Sequence, residues 1–247
     1  MVPDKLKYWF FFFTPILMIS GCNKEIFTGP ETSVTKELKP FNEIIINSIF
    51  DIQLGNADTF LIELIGNEKI IKNIEYGISD GVLYLSDNNS GQWLPDYPHV
   101  TLNISFPDLE RMTSEAPVKV FTNDTLHLKS FSFRSYGLLS EIDLVIKSDR
   151  FFLSTSSADF GYYKISGKSA HSDIRVYGSG QVDASALITD FSRVRNYSIG
   201  DCHVYVTKHL VAMLGHYGNI YYRGSPERIT IERKESRGRL IEVNSDN

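Results

Sequence analysis

Between residues 131 and 222, apolar and polar positions alternate in short runs, and the runs return at a near-fixed interval. The plainest pieces are RSYGLL (134–139), RVYGSG (175–180) and RNYSIG (195–200). With these turns in register, the residues three places before each are Phe133, Leu153, Ile174, Val194 and Leu214, spaced 20, 21, 20 and 20 apart, and Met112 extends the series upstream by 21. One place before each turn stand Ser135, Thr155, Val176, Asn196 and His216, which are smaller or polar. Side chains alternate along a strand, so Phe133 and Ser135 are expected to point inward and Arg134 and Tyr136 outward. A second strand follows each turn, starting at Val118, Ile142, Tyr162, Val182, Cys202 and Ile220, at intervals of 24, 20, 20, 20 and 18. Strand, turn, strand and turn repeated about every 20 residues predict an all-β solenoid. A coil cannot bury its apolar face alone; stacking places like residues in ladders roughly 4.8 Å apart.

Upstream, EIIINSIFDIQLG, TFLIELIG and GVLYLSD read as short strands with turns at Gly55-Asn56 and Asp80-Gly81. Between them NEKIIKNIEYGI places Ile70, Ile71 and Ile74 on one side behind Asn67, an N-cap type, and predicts one short helix. The polar loop NNSGQWLPDYPH carries Trp93 and Tyr97, either as a lid over the first coils or as a carbohydrate contact. HVTLNISF then resumes strand alternation.

The first residues have a different character. Lys5 and Lys7 precede an apolar run over residues 8–19, then Ser20, Gly21 and Cys22. A charged start, a short apolar stretch interrupted by Pro15 and a small-residue site form an export signal rather than a membrane span. The ending Ile19-Ser20-Gly21-Cys22 resembles a bacterial lipobox, which implies cleavage before Cys22 and lipid on its thiol. An uncleaved anchor and plain secretion are the competing readings. The expected organisation is a lipoprotein signal peptide at 1–21, a polar tether at 22–40 and the solenoid at 41–247. Several acyl chains hold a protein on a membrane where one does so marginally. Only Cys22 and Cys202 occur, so a lipidated Cys22 leaves no disulfide. Cys202 alternates with Val204 and Val206 in CHVYV and is expected to be a buried apolar residue.

Apolar residues make up 42% and charged residues 22%, which suits a folded globular domain. A net charge of −5 offers no basic field for nucleic acid. The outward columns concentrate the candidate chemistry. They hold Arg134, Arg175 and Arg195 beside Tyr136, Tyr177, Tyr197 and Tyr217. Two readings stand. In one, tyrosines stack on neighbouring rings under arginine and stabilise the sheet. In the other, an aromatic-cationic strip docks sugar rings or an acidic polymer.

Catalysis finds little support. Glu141, Asp143, Asp159, Asp173, Asp183 and Asp201 are the acids at coil positions. Asp143 and Asp183 could share a face two coils apart, with Tyr163 in the slot between, at roughly 10 Å, near the spacing of inverting glycosidases. The six histidines lack metal-ligand spacing, and no phosphate loop or nucleophile elbow occurs, so no metal or cofactor is expected. His216 is expected inside.

Several pieces in order resemble the putative auto-transporter adhesin, head GIN domain family, over about residues 41–226. They are KPFNEIIINSIFDIQL, GVLYLSD, VTLNISFPDLERM, ISGKSAHSDIRVYGSGQVDAS and GHYGNIYYRGSP. The family's Gly-Ser-Gly turn stands intact at Gly178-Ser179-Gly180, and elsewhere has become YGLL, YSIG and HYGN. Its closing aromatic-x-Gly-x-Pro stands as Tyr222-Arg223-Gly224-Ser225-Pro226. The resemblance implies a right-handed parallel β-helix-like solenoid in exported proteins, largely of Bacteroidetes, and brings no catalytic residue with it. The expected function is a lipid-anchored outer-membrane protein, facing the surface or the periplasm, that binds a polysaccharide or a surface protein. Its rivals are a structural periplasmic lipoprotein and a polysaccharide-active enzyme.

Overall fold

The computed structural model describes residues 29–92, 94, 96–234 and 236–243. The signal segment, Cys22 and Trp93 lie outside them. Strands dominate. They are β1 (Glu31–Glu37), β2 (Glu43–Ile46), β3 (Phe50–Asn56), β4 (Leu61–Asn67), β5 (Ile74–Ser79), β6 (Val82–Asp87), β7 (Thr101–Phe106), β8 (Arg111–Ser114) and β9 (Val118–Thr122). Longer strands follow: β10 (Leu126–Ser135), β11 (Ser140–Thr155), β12 (Tyr162–Gly178), β13 (Gln181–Ser198) and β14 (Cys202–Leu214). The chain ends with β15 (Ile220–Arg223), β16 (Arg228–Lys234) and β17 (Leu240–Glu242).

The periodic part is a solenoid of parallel ladders. One inward column runs Val120, Ile142, Tyr163, Val182, Cys202, Ile220 and Leu240, 18 to 22 residues apart. The other runs Ile44, Met112, Phe133, Leu153, Ile174, Val194 and Ala212. The members of both are buried, except that Leu240 at the last coil is half-buried. Fully burying a side chain such as Phe133 contributes ~1.5–3 kcal/mol, and each coil supplies at least one per column. Cys202 is buried as expected, and burial pushes its thiol well above the usual range.

The amino-terminal end is closed by antiparallel elements. Strand β4 pairs with β7, β1 pairs with β4, and β5 pairs with β6. The β5–β6 turn is Asp80-Gly81, both at positive φ (52° and 78°), the conformation a two-residue hairpin needs. Helix α1 (Glu68–Ile71) is the only α-helix among the described residues; Asn67 caps it by accepting from Lys69 N–H at 2.9 Å. Ile70, Ile71 and Ile74 are buried there, and Tyr97 packs against the core and donates its hydroxyl to Asp87 at 2.6 Å.

Three expectations change here, for the tether, for Leu214 in the inward column and for His216. The second half of the expected tether is part of the fold: β1 lies along β4 with Glu31 opposite Asn67 and Glu37 opposite Leu61. Its alternation of half-buried Thr32 and Val34 is short and polar, so it reads as linker without its partner. The first coils do not stack in chain order, because β2 sits between β6 and β8, and β3 between β7 and β9. The last inward column also slips. Strand β13 carries extra residues between Ala184 and Ile188, and β14 regains only part of them after Val206. Val194 therefore meets Ala212, while Leu214 lies beside Asn196. His216, expected inside, is exposed and packs edge-on against Tyr217.

Candidate functional site

The intact Gly-Ser-Gly turn is an interior fitting. Gly178 has φ of 68°, and a Cβ there would meet Asp159 O at 2.7 Å. Ser179 N–H donates to the same oxygen at 2.8 Å. The Asp159 side chain tucks beneath, where Oδ1 accepts from Gly161 N–H at 3.1 Å and from the Tyr163 hydroxyl at 2.8 Å. Burial is the main cause that raises Asp159 to about 6, with those two donors pulling the other way. Asp159 thus holds a turn together inside the wall.

The outward stripe is real in part. Tyr177 and Tyr197 pair across neighbouring coils with rings stacked at 5.1 Å and 13°. Arg175 and Arg195 are adjacent and share Asp173, at 3.4 Å and 3.0 Å. The guanidinium groups of Arg175 and Arg134 lie over Phe152, at 5.0 Å and 5.8 Å from the ring centre. Phe152 and Asp173 are the members the sequence reading left out; both sit at the outward position in the same ladder. Tyr136 follows the last paired residue of β10 and is 50% exposed. Tyr217 is not in the column: the slip in β14 puts Gly215 against the Tyr197 ring, and Tyr217 stands off under Arg237. Arg195, with 16% of its side chain exposed, is more covered than Arg175 at 40%.

A second surface lies on the face formed by the strand starts. Tyr163 is buried, so Lys164 occupies the slot between Asp143 and Asp183 and binds Asp143 at 2.9 Å. That corrects the reading of those two acids as a facing pair with Tyr163 between them. Burial pushes Asp183 up, but the Ser185 hydroxyl and N–H outweigh it and leave the carboxyl below its ordinary value. Next along the ladder, His203 and Tyr221 stack at 4.6 Å and 6°. With Tyr162, Asp201, Arg223 and Asp183 they line a cleft of about 490 Å³.

On the other side of Tyr162 the corner of the solenoid is apolar. Leu138, Leu139, Phe160 and Tyr162 are 55%, 60%, 62% and 45% exposed. Ile49, Leu139, Phe160 and Tyr162 line a groove of about 510 Å³ rimmed by Lys119 and Glu141. Glu141 was considered from the sequence only as an acid and YGLL only as a turn, so the apolar character of the corner was missed. Its signal was there: YGLL places two leucines in a turn, where polar residues are usual. No group of His, Cys, Asp and Glu able to hold a metal occurs among the described residues, and none of their helices is long and apolar enough to cross a membrane.

The chain belongs to the putative auto-transporter adhesin, head GIN domain family, whose model matches residues 40–226. A solved putative adhesin from Bacteroides fragilis is similar over 88% of this chain and 99% of its own, with a TM-score of 0.78 and 17% identity. A putative adhesin from Parabacteroides distasonis covers 88% and 98%, with a TM-score of 0.63 and 16% identity. A protein from the same species described as a putative lipid binding protein covers 87% and 98%, with a TM-score of 0.64 and 16% identity. At these identities the likeness is one of fold. Among curated proteins, none matches this chain.

Proposed function

We propose that this chain is a lipid-anchored protein of the cell envelope whose solenoid holds a polysaccharide by contact, without catalysis. The observation that carries the reading is the cleft beside Tyr162. Flat aromatic faces at Tyr162 and on the His203–Tyr221 stack suit the apolar faces of sugar rings. Asp183, Asp201 and Arg223 around them offer acceptors and a donor fork for hydroxyl and acidic groups. Lys164 stands between Asp143 and Asp183 and pairs with Asp143, so these two acids do not face each other as an acid pair for glycoside hydrolysis. Lipid on Cys22, with residues 1–21 removed and residues up to Gly29 as the tether, fits the export-signal pattern and the family's description as adhesins.

The test is binding of the exported chain to polysaccharide extracted from the producing cells, with Tyr162→Ala and Tyr221→Ala beside it. The expected result is at least about a tenfold loss of affinity, in line with one to two lost ring contacts. Unchanged affinity removes the cleft from the proposal. Protease shaving of intact cells decides which side of the outer membrane the solenoid faces. Release supports surface capture; protection until the membrane is broken turns the reading into a periplasmic scaffold.

A second reading rests on the apolar groove between Leu139 and Phe160. Its dimensions and apolar walls suit an acyl chain, and one similar fold is described as a putative lipid binding protein. Phe160→Ser abolishing uptake of a fluorescent fatty acid, with polysaccharide binding intact, would support it.

A further inference from the structure

The two ends of the solenoid are finished differently. At the amino-terminal end antiparallel β4 lies on β7 and antiparallel β5 on β6, with β1 added outside β4. At the other end β16 pairs only with β14, and β17 only with β15, among the described residues. Their outer backbone edges have no partner there. The inward positions of β16 also differ from every coil before it. Ile229 continues the column of buried Leu210, and Ile231 that of buried Ala212, yet they are 40% and 51% exposed. A solenoid end with bare apolar residues and an open edge is a template for another strand.

The sequence of β16 is complementary to itself in one antiparallel register. With Thr230 on a two-fold axis, Ile229 faces Ile231 and Arg228 faces Glu232, each pair occurring twice. Ile229 and Ile231 lie on the inward side and Arg228 on the outward side, and Glu232 is the extra residue where β16 bulges against β14. Thr230 is outward, touching His209 Nε2 at 3.0 Å, and Glu232 is outward against Arg193 at 3.5 Å. Moving the axis to Ile231 would set Thr230 against Glu232; moving it to Ile229 would set Arg228 against Thr230. Both lose the charge pairing.

We infer that β16 is the dimerisation edge of this protein, and that its occupant is a second copy joined end to end through the antiparallel pair Arg228–Glu232 and Ile229–Ile231 about Thr230. The contact is isologous, so it closes at two chains. Neither the cleft beside Tyr162 nor the Arg/Tyr stripe takes part, so the inference stands apart from the proposed polysaccharide binding.

Light scattering across a concentration series tests it. The expected result is a rise from the monomer mass to twice that value, with Ile231→Lys raising the dimer dissociation constant at least tenfold. Circular dichroism of the variant should be unchanged, since residue 231 is already half in solvent. Register is tested separately by cysteine cross-linking with Cys22→Ser. Thr230→Cys should oxidise to a covalent dimer, and Ile229→Cys should not. A wild-type chain that stays monomeric at every concentration overturns the inference. So does a dimer indifferent to Ile231→Lys, or one that cross-links equally at both positions.

Discussion

Tyr163 donates its hydroxyl to Asp159 at 2.8 Å inside the solenoid wall. Both residues are buried, and Asp159 Oδ2 finds no partner among the described residues. A carboxyl placed so favours its neutral form, mainly because burial removes it from water.

The first prediction concerns pH. Asp159 is raised to about 6, above its ordinary value of 3.8, so its contribution is greatest at acid pH and is lost as pH rises through about 6. The difference corresponds to up to about 3 kcal/mol. Asp159→Asn, neutral at every pH, should gain on the wild type by about that amount between pH 4 and 8 in urea titrations. Glu63, held low by hydrogen bonds from Ser33 and Asn103, acts in the opposite sense and cancels in the comparison. A pH-independent difference would refute the burial argument.

Gly178→Ala should destabilise by about 1–3 kcal/mol, because alanine both resists positive φ and collides with the Asp159 carbonyl. Gly77→Ala, where a Cβ meets nothing within 4 Å, is the control and should cost under about 1 kcal/mol. Equal losses would mean that the turn is not the constraint.

The stripe can be tested as a unit. Replacing Arg134, Arg175 and Arg195 with alanine removes the cover on Phe152 and both partners of Asp173. We expect a cost of about 1–2 kcal/mol, discounted for partial exposure, and unchanged polysaccharide affinity. Lost affinity at an unchanged melting temperature would instead make the stripe a contact surface.

Cys202 should resist alkylation in the folded chain. Its thiol is fully buried and held protonated, and only the thiolate reacts. Iodoacetamide with Cys22→Ser should label the protein at the rate of global unfolding. Rapid labelling under native conditions would show that the coil around Val182 and Ile220 opens locally.

The coil period was legible because each coil needs an apolar residue at the same two places. Phe133, Leu153, Ile174 and Val194 could be aligned from spacing alone, and Asn67 marked the helix start. What escaped was set by pairing rather than by composition. The slip that moves Leu214 beside Asn196 comes from extra residues at a corner of β13, which a count between turns absorbs without trace. Strand β1 is visible only once β4 lies beside it. Phe152 and Asp173 escaped as members of the stripe for another reason: an outward column is defined by neighbours on other coils, and neither residue belongs to the recurring arginine-tyrosine pattern.

The interleaving of the first coils limits how this protein can change length. After Thr122 every coil rests on the one made just before it, so a unit of about 20 residues can be deleted or duplicated with its neighbours still in register. Before Thr122 no such cut exists. The coil of β2 and β3 is made first, yet it is gripped on one side by β6 and β7 and on the other by β8 and β9, all of which come later in the chain. The part up to Thr122, about half of the chain, must be inherited whole, and growth or shortening belongs to the carboxy-terminal coils.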